Sequence, residues 1–177
     1  MKRISVVLAT WIVFGLLLSA CGGGGGDPVS VVKDMMKAIQ DKRFDAIADF
    51  ACAAEKDAIT SQFDFRQALG GSGIDAQQML DAMTFDLSSL TYEKTSESGD
   101  KATVSMKGTL SIKVDREKMK AVVSEILKAQ GMPVDDTTLN TALDQFSGQF
   151  ETGTDISTDF DMVKEGGAWK VCGSTNN

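Results

Sequence analysis

Apolar positions along this chain fall into successive regimes. An apolar run extends from Ile4 to Leu18, behind Met1-Lys2-Arg3. Beyond Gly22 to Gly26 the spacing turns helical. Asp27-Pro28 supplies an N-cap acceptor and a proline at the first helical position, and Val29, Val32, Met36 and Ile39 follow on one stripe. After Asp41-Lys42-Arg43, Phe44, Ile47, Ala48, Ala51 and Ala54 predict a second helix running on toward Ile59. Phe63, Phe65 and Leu69 lead into Gly70-Gly71-Ser72-Gly73. A short third helix is predicted from Asp75 to Met83, with Met79, Leu80 and Met83 on one side.

The period then drops to two. Phe85 and Leu87 alternate, Ser88-Ser89 shifts the phase, and Leu90 and Tyr92 resume it, which predicts a strand with a bulge. After the turn Ser98-Gly99-Asp100, Ala102, Val104, Met106, Gly108, Leu110, Ile112 and Val114 alternate with Thr103, Ser105, Lys107, Thr109, Ser111 and Lys113. Such a strand has one buried and one wet face. Helical spacing returns in two stripes: Met119, Val122, Val123, Ile126 and Leu127, then Leu139, Ala142, Leu143, Phe146 and Phe150, parted by Gly131-Met132-Pro133. A last hairpin is predicted from Thr154, Ile156, Thr158, Phe160 and Met162 through Gly166-Gly167 to Trp169 and Val171. The two inserted stripes must cover apolar surface, and the reading places them as a lid over Val104, Leu110, Ile112, Ile156 and Phe160, hinged at Gly131-Met132-Pro133.

The N-terminus changes the picture most. A basic start, an apolar run and small residues before Cys21 make a secretory signal peptide over residues 1–20. From Ile4 to Ala20 a helix spans only about 25 Å, short for a bilayer core of about 30 Å. Leu18-Ser19-Ala20-Cys21 resembles the lipobox of bacterial lipoproteins at all four positions. That resemblance implies cleavage before Cys21, acylation of its thiol, and anchoring of the exported domain to the cell membrane or outer membrane, facing the periplasm or the exterior. Residues 21–26 then act as a tether of about 12 Å reach. Residues 27–177 form a single domain with a helical insertion at about 116–149.

Composition narrows the chemistry. The 177 residues contain no histidine, 18 Lys+Arg and 25 Asp+Glu. Losing Lys2 and Arg3 with the signal leaves a net charge of −9. An acidic surface disfavours nucleic acid, and the missing histidine removes His-based triads and His-ligated metals. No cofactor or metal is expected, and no catalytic residue is assigned.

Helices, an antiparallel sheet and the ending Met162-Val163-Lys164-Glu165-Gly166-Gly167-Ala168-Trp169-Lys170-Val171 resemble nuclear-transport-factor-2-like domains, in particular lipoproteins of that superfamily. The resemblance implies an α+β fold: N-terminal helices packed on a curved antiparallel sheet wrapped into a cone, often with an apolar cavity. The helical pair departs from the family pattern.

Candidate chemistry is sparse. With Cys21 lipidated, Cys52 and Cys172 remain, and an oxidising compartment favours a disulfide over two buried thiols or a redox thiol. Cys52 falls on the predicted second helix and Cys172 on the last strand, and the resemblance implies that these two elements pack together. A bridge closing a loop of roughly 120 residues contributes about 4–5 kcal/mol in the chain-entropy model. Asp155, Ser157, Asp159 and Asp161 share a strand face, but alternate residues about 6.6 Å apart do not converge on a cation. Asp86 and Glu93 fall on polar parity and Tyr92 on apolar parity. Gly70-Gly71-Ser72-Gly73 lacks the Lys-Ser/Thr of a phosphate loop. Met119 and Met132 suggest core filler or an adaptable binding surface. The function expected is a lipid-anchored, non-enzymatic envelope module that binds a small apolar ligand or a protein partner. The alternative is a hydrolase or isomerase using the cone as its active site.

Overall fold

Aspartates open four of the five described α-helices, each offering its carboxylate to N–H groups that lack a partner in the first turn. The computed structural model describes residues 26–62, 64, 75–150 and 153–176. Asp27 caps α1 (Pro28–Gln40), accepting from Val29 N–H at 3.4 Å. Val31, Val32, Met35 and Ala38 form its buried face.

The helix expected from Phe44 toward Ile59 is broken. A 3-10 helix spans Phe44–Asp49, and α2 begins only at Lys56 (Lys56–Gln62). The cause lies between them. Cys52 N–H donates to the Val171 carbonyl at 2.8 Å, and Val171 N–H donates to the Phe50 carbonyl at 2.9 Å. Backbone recruited to a sheet edge cannot also serve a helix. Cys52 therefore sits in the link, not on the second helix that the spacing predicted.

Asp75 caps the short α3 (Ala76–Asp81), and Met83, expected to end that helix, starts a strand. Phe63, Phe65, Leu69 and the Gly70–Gly73 loop lie outside the described residues. The single bulged strand expected around Ser88-Ser89 is in fact two strands, β1 (Met83–Asp86) and β2 (Thr91–Ser98), parted by a turn. Both pair antiparallel with the same edge of β3 (Lys101–Val114): β2 along its first half, with Tyr92 opposite Met106, and β1 along its end, with Phe85 opposite Ile112.

Asp115 and Asp135 cap α4 (Arg116–Ala129) and α5 (Asp136–Phe150). The chain then returns as β4 (Thr154–Glu165) on the other edge of β3, and β5 (Ala168–Asn176) pairs with β4. The result is an α+β fold: helices, then an open antiparallel sheet of five strands, with a helical pair inserted before the last hairpin.

Two cores lie along the sheet. Beneath α1, Leu87, Leu90, Ala102, Val104, Met106, Phe160, Met162, Trp169 and Val171 pack with Val31, Val32 and Met35. Around the inserted pair, Met119, Val122, Val123, Leu127 and Leu143 pack with Ala82 and Met83, against Phe85, Ile112 and Val114. This corrects the lid. Of the five residues it was to cover, Ile112 alone belongs to the pair's core; Val104, Leu110, Ile156 and Phe160 belong to α1's. The pair makes a second core at the far end of β3. Phe44 and Phe85, one from each core, meet edge to face with centroids 6.1 Å apart.

Candidate functional site

The β4–β5 hairpin turns at Gly166 and Gly167, both at positive φ (58° and 87°), where glycine carries no steric cost. That turn sets Glu165 at the end of β4, paired with Ala168 at the start of β5. The Phe50–Cys52 link lies along the outer edge of β5 through its two hydrogen bonds to Val171. Cys52 and Cys172 thereby stand at disulfide-bonding distance, with Cα atoms 5.2 Å apart and 120 residues between them. Glu165 completes the group. Its carboxylate oxygens accept from Ala53 N–H at 3.2 and 3.4 Å, and a carboxylate oxygen and both sulfurs lie within 4.8 Å of one another. Among the described residues this is the one cluster of cysteines and acids tight enough for a cation. With the sulfurs bonded to each other, the carboxylate alone would remain to ligate.

The other sequence candidates do not converge. Asp155, Asp159 and Asp161 line the wet face of β4 opposite Thr109, Ser105 and Thr103. Asp155 accepts from the Thr109 hydroxyl at 2.7 Å, so this acid serves the sheet itself. Asp86 is held below the usual carboxylate range, chiefly by the Ser88 hydroxyl at 2.6 Å, then by Ser88 N–H and by Lys113. It fastens the turn between β1 and β2. Tyr92 is half-buried against the first core, with Lys33 5.8 Å from its ring centroid, and burial pushes its phenol up. Met119 is fully buried core filler. Met132 is the opposite case: at the elbow between α4 and α5, it and Val134 are 41% and 40% exposed. Cys21 and the segment expected to be a signal peptide lie outside the described residues, and no described helix is long and apolar enough to cross a membrane.

Sequence reading missed Ser105, on the wet parity of β3 yet 5% exposed, between Glu93 and Asp159 in the pairing. It missed Glu165 as well. No local signal marked that residue: the Gly166-Gly167 turn pairs it with Ala168, and its side chain reaches the cysteines only in the folded chain.

No protein-family model matches the chain, and no curated protein matches its sequence. Among solved structures it is similar to the intermembrane space region of the chloroplast protein ARC6. That match has 10% identity and a TM-score of 0.41, over 84% of this chain and 95% of that one. A likeness at that level carries no argument about fold or function.

Proposed function

We propose that this chain is a lipid-anchored envelope protein whose domain works by binding rather than by catalysis. The observation that carries the reading is Leu18-Ser19-Ala20-Cys21 behind a basic, apolar leader and ahead of five glycines. Two or three acyl chains at Cys21 hold a protein stably at a bilayer where one chain holds it marginally. The Gly22–Gly26 tether keeps the domain close to that surface. In the exported protein Cys52 and Cys172 form a disulfide, supported by their spacing. The cone of the nuclear-transport-factor-2-like lipoproteins belongs to the same proposal. Its support is the order of helices before an antiparallel sheet and the closing hairpin around Trp169.

Binding is favoured over catalysis by what fills the fold. Met106, Phe160, Met162 and Trp169 occupy the space between α1 and the sheet. A hydrolase or isomerase needs a carboxylate held among apolar side chains. Among the described residues, the buried polar side chains are Ser105 and Ser147. A protein partner is the version the elbow supports, because Met132 and Val134 are the large apolar side chains left outward there.

The test is Cys21→Ser in the producing cell. The native chain should incorporate labelled palmitate and sediment with membranes. The variant should accumulate uncleaved and unlabelled. Equal labelling of both would contradict the anchor.

A further inference from the structure

We propose that Glu165 is an electrostatic guard on the Cys52–Cys172 bond, selecting by charge which thiols can open it; this rests on the disulfide reading above. Opening a disulfide takes an incoming thiolate that attacks one sulfur. The sulfur–sulfur bond breaks, the other sulfur leaves as a thiolate, and a second reagent thiol resolves the mixed disulfide to leave two protein thiols and an oxidised reagent. Burial assigns the roles here. Cys52 is fully buried and Cys172 is half-buried, so the reagent reaches Cys172 and Cys52 is the group expelled.

Glu165 stands beside both events, within 4.8 Å of each sulfur. Ala53 N–H, the amide next to Cys52, fixes its carboxylate in place. Neighbouring lysines are committed elsewhere: Lys164 lies over the Trp169 ring, Lys56 pairs with Asp49, and Lys170 donates to the Asp49 carbonyl. No ion pair to Glu165 occurs among the described residues. An arriving thiolate therefore meets a like charge. The departing Cys52 thiolate forms buried and beside that same charge, which disfavours it and slows its departure. A reagent that brings its own positive charge offsets the repulsion, and one with an extra negative charge increases it. The bond that pins the Phe50–Cys52 link to β5 is thus shielded most from anionic thiols.

The test compares cysteamine, which is cationic, with 2-mercaptoethanesulfonate, which is anionic. The full mature protein is kept in detergent, and opening is followed by alkylation and mass. In Glu165→Gln the cationic-to-anionic rate ratio should fall about 3- to 10-fold at low salt, and the difference should shrink near 1 M salt, where screening acts over about 3 Å. Glu125→Gln, the same charge change on exposed α4, should leave the ratio as in the native protein. A variant that merely loosens the hairpin accelerates both reagents alike, so only charge selectivity moves the ratio. An unchanged ratio in Glu165→Gln on an intact bond overturns the guard. Two free thiols before any reagent is added overturn the disulfide reading, and the guard with it.

Discussion

Gly108 decides how one edge of β3 is shared between two strands. It sits at φ 142°, and a Cβ there would lie 2.4 Å from the Ser89 carbonyl oxygen and 3.1 Å from Leu90 Cα. Those are backbone atoms and cannot swing aside. The bare glycine lets the Ser88-Ser89 turn press onto β3, where the Ser89 hydroxyl donates to the Thr109 carbonyl and accepts from Thr109 N–H. Gly108→Ala should therefore cost about 3 kcal/mol in urea unfolding, from strain and collision together. Gly99→Ala, also at positive φ but with open space around it, should cost only about 1 kcal/mol. Equal costs would show that the close approach at Gly108 has no energetic weight. Alternation alone made Gly108 look like any inward position, because periodicity reports a side-chain direction and not the distance to the next backbone. Asp27, by contrast, was readable as a cap because its role depends on the residues right after it.

For the elements, local patterns were legible and their partners were not. The stripe on α4, and that on α5 from Leu139 to Phe146, stand where the spacing put them, and what they cover does not. Length gives the reason. α1 has 13 residues and reaches about 20 Å, whereas the 14 residues of β3 reach about 46 Å. One helix cannot cover that strand, so its end needs a second apolar layer, which the inserted pair supplies. The broken second helix is a similar lesson: nothing near Phe50 and Cys52 announces a strand more than a hundred residues away that takes their hydrogen bonds. Because Leu143 is fully buried in this second core, Leu143→Ala should cost about 2–5 kcal/mol. Amides of Val122, Val123 and Leu143 should exchange hydrogen about as slowly as those of Val104 and Met106. Exchange orders of magnitude faster, with little loss in Leu143→Ala, would instead describe a loosely attached flap.

The molecule as a whole spends its acids on local work. Four aspartates cap helices, Asp86 ties a turn, Asp155 holds a cross-strand hydroxyl, and Glu165 flanks the cysteine pair. The proposal of an exported, anchored protein rests on a contiguous string at the N-terminus. The cysteine pairing followed from counting rather than from geometry, and Glu165 emerged only when the chain closed on itself. All of this turns on one claim, that the chain works as an acylated protein in an oxidising compartment. The intact mass of the native protein, taken without reduction from a membrane extract, tests it most directly. The account predicts a chain beginning at Cys21, carrying two or three acyl groups and lighter by two hydrogens for the Cys52–Cys172 bond. A chain that still begins at Met1, unacylated and with all thiols free, would contradict it.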